Sequence, residues 1–308
     1  MRPGHAVLIG LALAATAPPA AAGRVGEFEV RELSRGVTLY SGEANSLVIE
    51  RKDGLLVVDA QPTPEAAHAL LAAIAKASKQ QVRYLVLTHP HADAAGGARA
   101  FPTSTLIVAG SAARDRLADP AYDFGAETKR RAPDPAAWIS PERPTPVLVS
   151  DGPFTLDDPE RRVVIYPLPR AHSEGNLWVE IPQAGIMAIG DLFVSDRNPY
   201  AGDASIGRWI SLLSDLAQME NITLVPLTGP PVDGETVRHL RDAFAWVRGR
   251  IAKGFIDLDP RDQLIDRAMA DPKAATWFDL AAKPSFVRTV FERVYEETLE
   301  ERRKRGLN

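Results

Sequence analysis

From residue 27 onward, apolar and polar residues alternate in short runs. EFEVRELS (27–34), VTLYSG (37–42), NSLVIERKD (45–53) and GLLVVDAQ (54–61) each read as a strand, with Gly36, Gly42 and Asp53-Gly54 as turns between them. This punctuation predicts consecutive antiparallel strands. The period then changes: TPEAAHALLAAIAKAS (63–78) carries an apolar stripe at helical spacing, with Thr63 as N-cap and Pro64 in the first turn. YLVLT (84–88) is continuously apolar, which predicts a strand covered on both faces. A short helix ending near Phe101 and a strand TLIVAG (105–110) follow, giving an α/β alternation.

Residues 111–146 are rich in Pro, Ala and charge without a clean period, and read as short helices and an insertion able to flap over a site. Strands resume with PVLVS (146–150), RVVIYPLP (162–169), LWVEIP (177–182) and GIMAIGDLFV (185–194). A helix over Ile206–Met219, a strand ITLVPL (222–227) and helices near 234–253, 259–270 and 284–304 complete the chain. Each half offers strands followed by helices, which fits two sheets packed face to face with helices outside. The expectation is one domain over 23–308, with a helical C-terminal extension from about residue 234.

Composition narrows the function classes. A net charge of −4 and a pI near 5.9 give no electrostatic footprint for nucleic acid. The first residues combine Arg2, an apolar stretch from Ala6 to Ala15 and a small-residue site at Ala20-Ala21-Ala22, the layout of a secretory signal over 1–22. The mature protein is therefore expected to be exported, and periplasmic in a Gram-negative host, with no membrane span. The chain has no cysteine, so disulfides, thiolate ligands and cysteine nucleophiles are excluded, and a metal has to be held by imidazole and carboxylate.

Three stretches carry candidate chemistry. In LTHPHADAAGG (87–97), His89 and His91 are two apart on an extended segment and share a side, where they can bind one ion or stand as hydrogen-bonded surface histidines. Their loop leaves the C-terminal end of a buried strand, where open α/β sheets keep their sites. In RAHSEGN (170–176), His172 is a loop histidine just past a strand. In AIGDLF (188–193), Asp191 puts a carboxylate at a sheet rim, which is costly unless a cation or a helix N-terminus meets it.

In this order and at these separations, the three stretches resemble the metallo-β-lactamase superfamily, with motifs like those of glyoxalase II. VVDAQPTP (57–64) resembles the family's early strand ending in Asp, and the likeness runs from about residue 30 to 230. It implies a four-layer αββα sandwich of two mixed sheets flanked by helices, with metal at one rim. It assigns His89, His91 and His172 to a first zinc site. A second site would take Asp93, the histidine after it and a late histidine, with Asp191 bridging. Here the chain departs from the pattern. Ala94 stands where the adjacent histidine would be, and VPLTG (225–229) puts Thr228 at the late histidine. The resemblance thus implies one zinc ion with an open fourth position and a depleted second site.

The activity implied is hydrolysis of a small-molecule ester, thioester, lactone or amide-like substrate by a metal-activated water. Asp93 would orient that water or accept its proton, and Asn176 or Thr228 would donate to an oxyanion. Three alternatives stay open. Iron held by His89, His172 and Asp191 would resemble the single iron of the superfamily's persulfide-oxidising members, and the resemblance would then imply that activity. A non-catalytic binding protein would keep the fold alone, and β-lactam hydrolysis rests on fold analogy. His68 and His239 lie in helices and are not expected as ligands. Tyr122, Phe124 and Trp138 make the insertion the natural place for selectivity, and Ser205 has no base in its pattern to activate it.

Overall fold

The computed structural model describes residues 23–25, 27–131, 141–256 and 259–307; residues 1–22, which carry the expected leader, and Trp138 lie outside them. One sheet runs in chain order through β1 (Gly23–Val25), β2 (Phe28–Ser34), β3 (Val37–Ser41), β4 (Asn45–Arg51), β5 (Gly54–Val58), β6 (Val82–Val86), β7 (Leu106–Gly110) and β8 (Leu148–Ser150). Its pairs are antiparallel up to β5 and parallel from β5 to β8. The parallel step from β5 to β6 needs a crossover, supplied by α1 (Pro64–Ala77). Thr63 caps α1 by accepting from Ala66 N at 3.2 Å.

The second sheet contains β9 (Phe154–Leu156), β10 (Val163–Pro167), β11 (Leu177–Ile181), β12 (Ile186–Gly190) and β13 (Thr223–Pro226), in the spatial order β13-β12-β11-β10-β9. Only the β12–β13 pair is parallel. Between β6 and β8 lie α2 (Ala92–Ala95), α3 (Ser111–Ala118) and α4 (Ala126–Arg131). After β12 come α5 (Ile206–Leu216), α6 (Gly234–Ile256), α7 (Arg261–Met269) and α8 (Pro284–Lys304).

Strand alternation builds four layers. Leu56 and Val58 of β5 pack with Ile165, Val179 and Ala188 between the sheets, whereas Leu55 and Val57 pack outward with Leu70 and Ile74 of α1. On the other sheet Ile186 and Ala188 face inward, while Met187 and Ile189 meet Trp209, Phe244, Val290 and Phe291 of the outer helices. This is the αββα sandwich. The helices after residue 234 form part of its outer layer, because their apolar stripes complete the cover over the second sheet.

Two short strands escaped the pattern. Both β1 and β9 are three residues long, below the length at which alternation can be read. The run expected over 185–194 stops as a strand at Gly190, which adopts φ +56°; a Cβ there would lie 2.6 Å from Thr88 Oγ1. The chain turns at that glycine, and Asp191–Val194 continues as a buried loop.

Candidate metal centre

The rim where β6, β10 and β12 end gathers the chemistry-bearing loops. After β6 the chain runs through Thr88 and the two histidines into α2, whose Gly96-Gly97 end packs directly on the loop after β5. A Cβ at Gly96 would sit 1.9 Å from Pro62 O, and one at Gly97 2.2 Å from Ala60 O. With glycine at both positions α2 docks closely, Ala60 N donates to Ala94 O at 2.6 Å, and Asp93 lies beside His89. Leu177 N donates to Thr88 O at 2.7 Å, joining the histidine loop to the second sheet next to His172.

His89, His91 and His172 converge. None of the three is more than 3% exposed, and their facing nitrogens lie within 4.8 Å of one another. Ring centroids are 5.0, 5.1 and 4.8 Å apart with interplanar angles of 82–88°, so the rings stand edge to face around a common centre. His172 Nε2 and His91 Nδ1 are 3.0 Å apart. His172 rests on the Trp209 ring at 5.3 Å, and Trp209 is itself fixed by donating Nε1–H to Leu192 O at 2.8 Å.

Partners behind the rings orient them. Asp59, at φ +64°, accepts from Thr88 N at 2.8 Å and from Thr88 Oγ1 at 2.9 and 3.0 Å. With its hydroxyl proton given to Asp59, Thr88 accepts from His89 Nδ1 at 3.1 Å, which leaves the Nε2 lone pair of His89 facing the cluster. Burial pushes Asp59 up to about 7, against the pull of His89 and the Thr88 bonds.

His91 is held by a residue that sequence reasoning missed. Its Nε2 lies 3.0 Å from Asp203 Oδ2, so Nδ1 is the nitrogen that faces the cluster. The His91 bond holds Asp203 below the usual carboxylate range in spite of burial, with further help from the charges of His91, Arg116 and Arg170. Arg116 Nη2 stands 3.5 Å from Asp203 Oδ1. Asp203 lies in GDASIGRWISLL (202–213), and no local spacing tells which residue of that stretch meets an imidazole 112 positions earlier.

The carboxylates flank one side. Asp93 Oδ1 is 3.3 Å from His89 Nε2, and Asp191 Oδ2 is 3.9 Å from His172 Nε2. His89, Asp93 and Asp191 form a second group whose ligand atoms lie within 4.8 Å. Burial disfavours protonation of His89, but the hydrogen bond that the ring donates to Asp93 and the charges of Asp93 and Asp191 carry its pKa above the ordinary value. Three buried imidazoles with two buried carboxylates beside them are a donor set that fits a divalent cation.

The remaining candidates lie to the side. Asn176 donates Nδ2–H to Ser173 O at 2.6 Å and accepts from Ser173 Oγ at 3.0 Å, bracing the turn that carries His172. Thr228 is buried at a 370 Å³ cavity with Asn45, Asp196 and Gly229, and none of the three histidines lines it. Ala94 is fully buried and packs with Ala44 and Leu227 in a small apolar cluster. His68 and His239 are exposed, the latter against Trp277 at 4.9 Å.

The sequence profile of the metallo-beta-lactamase superfamily matches residues 40–247. The chain belongs to that superfamily. A metallo-beta-lactamase type 2 of Bacillus cereus is 25% identical over 219 residues, covering 65% of this chain and 75% of its own; that of Bacillus sp. (strain 170) is 24% identical over the same span. Among solved structures, a metallo-beta-lactamase from Pontibacter korlensis superposes with TM-score 0.55 at 20% identity, covering 73% of this chain and 98% of its own. The stereoselective inverting sec-alkylsulfatase Pisa1 from Pseudomonas sp. superposes with TM-score 0.67 at 15% identity, covering 87% of this chain and half of its own. Both structural matches speak for the fold. As a superfamily member, the chain has a hydrolase-like fold with a histidine-rich site at the expected rim. Among the described residues no helix is long and apolar enough to cross a membrane.

Proposed function

We propose that this chain is an exported metal-dependent hydrolase of small ester, thioester, lactone or amide-like substrates, working with a single zinc ion. The convergence of three buried imidazoles within 4.8 Å carries the reading. His89, His91 and His172 would hold the ion, with Asp191 beside His172. Zinc supplies Lewis acidity that makes water a competent nucleophile near neutral pH and polarises a carbonyl. Asp93, whose carboxylate faces the same space, orients the nucleophile and takes up its proton. The Asp59–Thr88 pair and Asp203 fix the imidazoles in the tautomers that ligation requires.

A single ion is favoured by Ala94. The histidine that would complete a second site is replaced by a methyl group packed on Ala44 and Leu227, and Thr228 stands at the other missing ligand. Export rests on the leader-like residues 1–22, and recovery of a processed N-terminus from the periplasmic fraction tests it.

Elemental analysis of protein purified without added metal, followed by esterase assay before and after chelation, tests the whole reading. One equivalent of zinc and chelator-sensitive turnover are expected. Esterase activity that survives complete removal of metal sinks it. The 3.9 Å approach of Asp191 to His172 also permits a two-histidine, one-carboxylate iron site, which iron in that analysis and oxygen uptake with a persulfide would reveal.

A further inference from the structure

A cavity of about 90 Å³ abuts both histidine loops, with Pro90 and His91 on one side and Ser173 and Glu174 on the other. Two guanidiniums also line it. Arg116 comes from α3, outside both histidine stretches, and Arg170 stands two residues before His172 at the head of RAHSEGN. We propose that Arg116 and Arg170 form an anion subsite on the Asp203 side of His91, which selects substrates carrying a compact negative group, a carboxylate or sulfate, at a distance from the bond to be cleaved.

The placement argues for this in three ways. First, both arginines are anchored through a fraction of their donors. Arg170 donates Nε–H to Asp203 O at 2.9 Å, and its Nη1 stands 3.7 Å from Glu174, an exposed pair of little worth that an incoming anion can replace. Arg116 stacks 4.6 Å from the Tyr122 ring centroid and touches Asp203 Oδ1 with one nitrogen at 3.5 Å. A guanidinium has five N–H donors in a planar fork, so each keeps donors for a second, bidentate acceptor.

Second, the anchoring sets direction. Asp203 is turned to His91 through Oδ2, so its negative charge is spent on the imidazole and the Arg116 contact. Third, the stacking of Arg116 on Tyr122, whose hydroxyl donates to Pro90 O at 3.4 Å, holds the fork rigid beside the histidine loop. Rigid, partly desolvated arginines recognise planar oxyanions with less ordering cost than exposed lysines.

This inference names the substrate class of the proposed hydrolase, and it rests on that reading for its catalytic meaning. The test therefore has two arms. In metal-stripped protein, thermal unfolding is followed while inorganic sulfate replaces chloride at constant ionic strength. A saturable rise in Tm is expected for the wild type, with sulfate binding weakened at least about tenfold in Arg116→Gln and in Arg170→Gln. Arg170→Lys, which keeps the charge but loses the fork, should fall between and covers the case of a glutamine variant that does not fold. In metal-loaded protein, the ratio of kcat/KM for para-nitrophenyl hemisuccinate to that for para-nitrophenyl acetate should exceed one, and Arg170→Gln should lower it at least about tenfold.

Sulfate binding no better than chloride, or unchanged in both arginine variants, overturns the subsite. If metal-dependent turnover of the neutral ester persists in that case, the hydrolase reading stands without it. Arginine-dependent sulfate binding in a protein that hydrolyses neither ester separates the two the other way: the subsite stays and the hydrolase reading goes.

Discussion

His91 Nε2 and Asp203 Oδ2 lie 3.0 Å apart, and this contact decides which nitrogen of His91 faces the cluster. A carboxylate behind an imidazole fixes the ring's orientation and raises its basicity as a ligand. Asp203→Asn should weaken metal binding by about 10–100-fold. Competition against a chromophoric chelator measures it, and an unchanged affinity would show that Asp203 does not act through His91.

Removal of one ring should be felt as lost linkage. Metal that binds the folded state alone stabilises it by about 2.7 kcal/mol at a free concentration about 100 times Kd. Added zinc should raise the Tm of the wild type, and His172→Ala should lose both that rise and the stoichiometric metal. Metal-free His172→Ala serves as the control for packing on Trp209.

Restoring the family's histidine at position 94 should fail. Ala94 is fully buried against Ala44 and Leu227, so Ala94→His overpacks the site and should cost about 1–3 kcal/mol in urea unfolding. Metal content should stay at one equivalent. A second equivalent in this variant would mean that the pocket can open, contrary to the packing.

The C-terminal helix braces the site from outside. Glu297 of α8 accepts from Ile206 N at 2.6 Å and Gly207 N at 3.0 Å, capping α5, while Arg293 donates to Ala204 O and Thr289 Oγ1 accepts from Ala201 N. All of these bonds hold the loop that carries Asp203. Glu297→Ala should cost about 1–2 kcal/mol of stability, the range of a lost helix cap, and should also reduce metal affinity. Denaturant unfolding and chelator competition read the two effects separately.

Asp59 gives metal-free protein a distinctive pH dependence. Its pKa is raised from 3.8 to about 7 by burial. Between those values the folded chain keeps a proton that the unfolded chain has released, so its contribution is complete below 3.8 and is lost as pH rises to about 7. The stability difference between wild type and Asp59→Asn should therefore shift against the wild type over that window and level off above it. A difference that does not change with pH would show that the carboxyl titrates normally.

The site was legible as far as its residues sit in local patterns. His89 and His91 are two apart on extended backbone, and His172 and Asp191 each follow a readable strand, so motif order pointed to them. Asp203 and Glu297 have no such pattern. Each is one acidic residue in a loop or on a half-buried helix face, and its importance comes from what lies across the fold.

What the sequence by itself determined were the repeats of two and of helical period and the histidine spacing; these follow from backbone geometry over a few residues. Only the tertiary structure decided that Leu227 fills the space beside Ala94, that the last helices complete the outer layer and clamp the loop of residues 201–207, and that two arginines from separate segments meet beside His91. Those relations depend on side chains far apart in the chain competing for the same volume, and close packing settles that competition in three dimensions.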